Sequence, residues 1–211
     1  MPNTIIGTLA DDRLDGTTGA DLIRGHGGND VLYGDGYAPG IPGNGQGPAR
    51  YIGGDDTLRG GAGDDWLSGG HGADALAGGV GADVFSFGTH VPFSTVVGVT
   101  PDIFVLDTGA GEGARDVIRD FAQGEDRIDL SLLLNLAYRS LDVDESYRFI
   151  GTAEFTGEQA QVRYFVDGER TVVQLDGTAF LSGAVQGVDG VADGEIELHG
   201  AYTLAEGDFF L

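Results

Sequence analysis

The sequence predicts an all-β fold: a coil of Gly/Asp-rich repeats with a short strand on each of two faces, then a C-terminal half of further strands. Three observations predict it. A nonapeptide, Gly-Gly-x-Gly-x-Asp-x-(apolar)-x, recurs in register through the first part of the chain. Gly makes up 39 of the 211 residues and gathers in that pattern. From about Gly88 the pattern stops, and β-prone runs separated by turn residues replace it.

The units follow in order. Asn3 and Ile5 look like the end of a degenerate first unit. GTLADDRLD, GTTGADLIR and GHGGNDVLY then carry Asp12, Asp21 and Asp30, nine residues apart. The next unit opens at Gly34-Asp35-Gly36 and closes at Gly54-Asp55-Asp56-Thr57-Leu58. Its step from Asp30 to Asp56 is 26 residues instead of nine, an insertion of 17. That insert, about 37–53, is rich in Gly and Pro and reads as a surface loop. GGAGDDWLS, GGHGADALA and GGVGADVFS complete the series with Asp65, Asp74 and Asp83.

Each position has a physical task. The glycines permit positive φ and close backbone approach, so the first six residues form a tight turn. The last three form a strand whose middle residue points inward. Two units make one coil, so alternate units stack on the same edge. The inward residues form two ladders, Leu14, Leu32, Leu67 and Phe85 on one sheet and Ile5, Ile23, Leu58 and Leu76 on the other. Outward, Arg13, Val31, Trp66 and Val84 share one register, a stripe expected to pack against residues 100–211.

Charge decides what such a coil needs. Asp and Glu number 34 against 11 basic residues, all Arg, for a net charge of −23. That balance excludes a nucleic-acid binder and opposes compaction unless cations bind. With no Cys, disulfides, thiol catalysis and Cys-ligated zinc are excluded. No apolar run approaches the roughly 18 residues of a membrane span. The start, Met1 to Ile6, lacks the basic and apolar regions of a secretory signal peptide.

Stacked turns bring aspartates and backbone carbonyls together. This is a hard, oxygen-only donor set that suits Ca²⁺ better than Mg²⁺. The expected pairs are Asp12 with Asp30, Asp21 with Asp56, Asp30 with Asp65, Asp56 with Asp74, and Asp65 with Asp83. They give about three to five ions, with the two Asp56 sites weaker because the insertion falls there.

Residues 7–86 resemble the calcium-binding repeats of the RTX (hemolysin-type) family. The resemblance implies a parallel β-roll. It also implies ions held partly by main-chain oxygens of the turns, here Gly16, Gly19, Gly25, Gly28, Gly60, Gly61, Gly63, Gly69, Gly70, Gly72, Gly78, Gly79 and Gly81. The first turn departs, with Thr8 and Ala10 where glycines are usual.

Beyond the repeats, Asp116-Val117-Ile118-Arg119-Asp120-Phe121 and Gly124-Glu125-Asp126-Arg127-Ile128-Asp129-Leu130-Ser131 resemble the segment that follows the repeats in serralysin C-terminal domains. Ile196-Glu197-Leu198-His199-Gly200 extends the likeness, and related modules occur in alginate epimerases. It implies a division into a roll, 1–88, and a mainly antiparallel β subdomain, 89–211. It also implies a metal role for Asp116, with Asp102 or Asp107 as partner. The family's calcium-like loop near 185–193 is replaced by Val185, Gly187 and Asp189, so no ion is expected there. From the residues themselves, Gln161–Phe165 and Thr171–Leu175 read as a hairpin about Asp167-Gly168, and Leu130–Leu136 as the start of a short helix capped by Asp129 or Ser131.

Catalytic motifs are missing. His26, His71, His90 and His199 form no His-Glu-x-x-His, and His26 and His71 fall in turns, where solvent-facing side chains are expected. There is no Gly-x-Ser-x-Gly and no phosphate loop. Asp55-Asp56 and Asp64-Asp65 resemble catalytic carboxylate pairs only until the repeat accounts for the second member of each. The expectation is a protein without catalytic residues. The terminal Asp208-Phe209-Phe210-Leu211 resembles the signal of serralysin-like substrates of type I (ABC) exporters. The reading is a secreted, extracellular calcium-binding module that folds on meeting Ca²⁺. The alternatives are a calcium-dependent adhesin or polysaccharide-binding protein, and an unrecognised hydrolase.

Overall fold

The computed structural model describes residues 2–35, 53–91, 103–105, 108–131, 133, 147–157, 159–177 and 190–211. The 37–53 insert, apart from Gly53, the 185–189 loop, Asp102, Asp107 and most of the expected helix after Leu130 lie outside them.

The chain is all-β. Within the repeats, β1 (Asn3–Ile6), β3 (Asp21–Gly27), β5 (Thr57–Ala62) and β7 (Ala75–Val80) stack in parallel in one sheet. β2 (Arg13–Thr17), β4 (Val31–Asp35), β6 (Trp66–Ser68) and β8 (Val84–Ser86) stack in parallel in the other. The register is the one the nonapeptide period dictates: Leu14, Leu32, Leu67 and Phe85 pair in succession, as do Ile5, Ile23, Leu58 and Leu76. Apart from Ile5 and Leu14 in the first coil, these side chains are fully buried.

Both sheets continue past the repeats. After the hairpin β9 (Thr89–Val91) and β10 (Ile103–Val105), β11 (Asp116–Ile118) pairs in parallel with β7, setting Ile118 beside Leu76. β12 (Arg127–Asp129) pairs in parallel with β8, setting Ile128 beside Phe85. The first sheet then runs through β16 (Gly194–His199), β15 (Arg170–Asp176), β14 (Gln161–Asp167) and β13 (Arg148–Phe149). The second ends on β17 (Phe209–Phe210), paired with β12. Antiparallel pairing among the described residues is confined to β9–β10 and β14–β15–β16. The strands nearest the repeats stay parallel because they extend the coil.

The expected hairpin forms: β14 and β15 pair antiparallel from Gln161 opposite Asp176 to Asp167 opposite Arg170. Asp129 Oδ1 accepts bonds from the N–H and hydroxyl of Ser131, at 3.0 and 2.6 Å. In the C-terminal sheet, buried Glu195 and Glu197 face Arg115 at 3.4 Å each, and Arg170 lies 3.4 Å from Glu197, so two guanidinium groups meet the two carboxylates.

Candidate metal centre

The repeat aspartates form two rows, one along each edge of the coil. In the first, the N–H of Asp12 donates to Asp30 Oδ1 at 2.8 Å, that of Asp30 to Asp65 at 2.8 Å, and that of Asp65 to Asp83 at 2.9 Å. In the second, Asp21 donates to Asp56, Asp56 to Asp74 and Asp74 to Asp116, each at 2.7 Å. All five expected pairs are therefore stacked neighbours, and Asp116 adds a rung over Asp74.

One carboxylate oxygen per rung supports the coil, which leaves the other to be accounted for. Asp30, Asp56, Asp65 and Asp83 are 1–2% exposed, and the Oδ2 of each is buried with no hydrogen-bond partner. Asp21 leaves Oδ1 in that condition. A buried anionic oxygen without a partner costs several kcal/mol. Burial accordingly pushes Asp56 and Asp83 up to about 7 and Asp65 up to about 6. The N–H bond each accepts opposes the rise, and neighbouring carboxylates add to it.

The first glycine of each turn marks where the oxygens converge. A Cβ on Gly60 would strike Asp65 Oδ2 and lie 2.7 Å from the Gly78 carbonyl of the next coil. The same pair of oxygens, the turn's own Asp and the next coil's first-glycine carbonyl, meets a Cβ on Gly7, Gly16, Gly25 or Gly34. These five points correspond to the five expected pairs. Gly7 and Gly34 were not among the glycines implied by the resemblance, although they occupy the same register.

The other turn glycines have different work. Gly28, Gly61, Gly63, Gly70, Gly72, Gly79 and Gly81 all have positive φ, at the second and fourth positions of their turns. A Cβ on Gly63, Gly79 or Gly81 would strike a carbonyl of the preceding coil. Gly19 has open space around it. His26 fills a second position at φ 83° and is exposed, as expected of it. His71 differs from the expectation of a solvent-facing ring: it is half-buried, and burial lowers its pKa.

The outermost turns are completed differently. Asp12 Oδ2 accepts the Thr8 N–H at 2.6 Å and the Thr8 hydroxyl at 2.8 Å, and Asp21 Oδ2 has the same bonds from Thr17. The departure at Thr8 thus supplies protein donors to a carboxylate at the open end of the coil.

Sequence reasoning missed three carboxylates. Asp35, in the turn that bears the insertion, accepts the His71 N–H at 2.7 Å, and burial pushes it up to about 6. Asp126 continues the first row, accepting the Asp83 N–H at 3.0 Å, and Asp120 accepts the Gly78 N–H at 3.1 Å. The residue before each Asp also has a task that its variability hid. Asp11, Asn29, Asp55 and Asp64 accept backbone N–H groups of the following coil.

No group of three or more ligating side chains is close enough to hold a metal among the described residues. The donor set is carboxylate pairs plus main-chain carbonyls, all oxygen, with no thiolate and no imidazole at the convergence points. That set fits Ca²⁺. The RTX calcium-binding nonapeptide repeat matches residues 6–36 and 52–85, in four copies. The chain carries RTX calcium-binding repeats. The break between the two matched blocks falls at the insertion, and the RTX match stops at Phe85, the last inward residue of the series.

No curated protein matches the chain at a significant level. Similar solved structures include two subunits of the AlgE6 mannuronan C5-epimerase of Azotobacter vinelandii. Its R2 subunit is 24% identical, covering 99% of this chain and 91% of that one, with a TM-score of 0.36. Its R3 subunit is 25% identical, covering 99% and 82%, with a TM-score of 0.28.

Proposed function

We propose that this chain is a secreted RTX module whose task is to fold when it meets extracellular calcium, and that it has no catalytic role. The observation that carries the reading is the set of buried, unpartnered aspartate oxygens aligned with the repeat. Calcium bound there supplies the positive charge these carboxylates lack. The protein contributes Asp12, Asp21, Asp30, Asp56, Asp65, Asp74 and Asp83 as the paired ligands, with the turn carbonyls beside them, and Asp116 as the next rung. Binding to the folded state alone stabilises that state. Roughly millimolar extracellular calcium saturates even weak sites of the 10⁻⁴–10⁻³ M class, whereas cytosolic levels leave the chain unfolded and exportable.

Export through a type I (ABC) system would use the C-terminal residues in the unfolded chain. In the folded chain Phe209 and Phe210 are occupied as β17, and Phe209 is buried, so a signal there is readable only before folding. The likeness to serralysin C-terminal domains supports the same reading and suggests a partnership with a larger enzyme. The decisive experiment is circular dichroism of the full chain, titrated with Ca²⁺ from excess EGTA. A cooperative rise in β-signal is expected, and an identical spectrum in EGTA would refute the reading.

A second reading, polysaccharide binding, is favoured by one observation. Tyr33 and Trp66 stand 5.0 Å apart on the second sheet, with Arg13 4.5 Å from the Tyr33 ring. Rings of this kind stack on sugars. A glycan array in calcium tests it, with loss of signal on Trp66→Ala as the expected result.

A further inference from the structure

The acidic row on one edge does not end with the last nonapeptide. Asp83 is 1% exposed, and its Oδ2 has no hydrogen-bond partner. A Cβ on Gly78 would strike that oxygen, as a Cβ on Gly60 would strike the oxygen of Asp65. In the five repeat gaps a first-glycine carbonyl of the next coil comes to the same point. Here the next coil is the non-repeat segment 119–126, and Asp120 stands level with Gly78, whose N–H donates to Asp120 Oδ1 at 3.1 Å. A carboxylate of the following segment thus lies beside Gly78. Asp126, 2% exposed, accepts the Asp83 N–H, as Asp83 accepts that of Asp65. Among the charges acting on Asp83, that of Asp126 is the largest, and Asp120 also contributes.

We propose that Asp83 and Asp126 are the carboxylate pair of a further calcium position outside the nonapeptide repeats, with Asp120 adding a third negative charge at its rim. The proposal rests on the calcium-folding reading above. A third negative charge close by strengthens the attraction for a cation without being a ligand, so this position fills before those of the repeats. It joins β8 to β12, and its filling is what carries order from the repeats into the C-terminal half.

The test is calcium binding by the full-length protein, measured by calorimetry and by equilibrium dialysis with radiolabelled calcium. Asp126→Asn is expected to lose one bound ion per chain. Asp120→Asn, which keeps an acceptor for the Gly78 N–H, is expected to weaken the tightest step at least about tenfold. Exposed Glu206→Gln should match the unaltered chain. Wild-type stoichiometry and an unchanged tight step in both Asp120→Asn and Asp126→Asn would overturn the proposal. If Asp126→Asn fails to fold in calcium, Asp120→Asn alone decides. Loss of an ion by Asp30→Asn, with Asp120→Asn and Asp126→Asn unaffected, would reject this position and leave the repeat reading intact. An unaltered chain that binds no calcium would reject both.

Discussion

The Asp65 N–H donates to Asp83 Oδ1 across one coil at 2.9 Å, while Asp83 Oδ2 is buried without a partner. One carboxylate thus holds the coil with one oxygen, and the other is the oxygen proposed to meet the ion. Asp83→Ala removes both functions. Leaving the buried Asp65 N–H unsatisfied costs about 1–3 kcal/mol by itself. In saturating calcium, thermal melting should show a clear loss of stability, and dialysis should show fewer bound ions. Asp83→Asn retains the acceptor, so it should restore part of the stability and none of the lost binding. Equal behaviour of the two variants would show that the two oxygens do not divide the work.

Gly60 offers a test of the convergence point without changing any charge. Its Cβ would strike Asp65 Oδ2 and sit 2.7 Å from the Gly78 carbonyl. Gly60→Ala should therefore occupy the ion's place between Asp65 and Asp83. Calorimetry should report one ion fewer. Gly19→Ala, a substitution into open space, should leave the count unchanged.

The pH dependence without calcium has a definite sign. Burial raises Asp56 and Asp83 to about 7 and Asp65 to about 6, from 3.8. A carboxyl whose folded pKa lies above its unfolded value keeps its proton better in the folded state. Between 3.8 and about 7 the folded chain therefore holds more protons than the unfolded one. Its stability falls as pH rises through that window. In EGTA the β-signal should grow on acidification from pH ~8 to ~5. In calcium the midpoint should move to higher calcium over the same change, because protons compete for the same oxygens. A pH-independent signal in EGTA would contradict the burial of these carboxylates.

The repeat was legible because its period fixes everything at once. Nine residues set the turn, the inward residue and the stacking partner, so Leu32 over Leu14 and Asp30 over Asp12 follow from counting. Asp126 was hidden because its coil has no glycine signature and stands 43 residues from Asp83, where the repeat would place it at 18. Asp35 was hidden for a related reason: the insertion separates it from the rest of its turn. The residue before each Asp looked idle because it varies, yet Asp11, Asn29, Asp55 and Asp64 share one acceptor geometry that Ala cannot supply. In the C-terminal half the hairpin about Asp167-Gly168 was readable from local turn chemistry. The parallel pairing of β11 and β12 was not, because their partners are remote in sequence.

His26 is the non-glycine residue with positive φ among the described residues, at 83°. Gly61, Gly70 and Gly79 fill the same turn position. The left-handed conformation costs an L-residue roughly 1–2 kcal/mol, and glycine's greater unfolded-state freedom offsets part of any gain. His26→Gly should stabilise the calcium-loaded chain by about 0.5–1 kcal/mol. Urea denaturation in calcium measures it. A loss of stability would mean that the exposed His26 side chain contributes more than its backbone costs.

Trp66 can report the ordering of the second sheet, because it is the single Trp of the chain. It lies between Val31 and Val84 in the outward row, and that row continues to Arg127. The ring is half-buried, and its aromatic neighbour is Tyr33, 5.0 Å away and tilted by 54°. Residues 100–211 meet the row only as its continuation within the sheet, where Arg127 pairs with Val84, which is not the covering expected of them. Tyr33 and Trp66 belong to different repeats, so the rings meet only when β4 and β6 are stacked. Calcium added to the EGTA-treated full chain should shift the Trp66 emission to the blue as the ring leaves water. The Tyr33→Ala variant should fold with the same calcium midpoint and show a smaller shift, since it removes the ring contact and leaves the aspartate rows untouched. An equal shift in Tyr33→Ala would mean that other residues shield Trp66, and no shift in either protein would mean that Trp66 stays in water while the repeats fold.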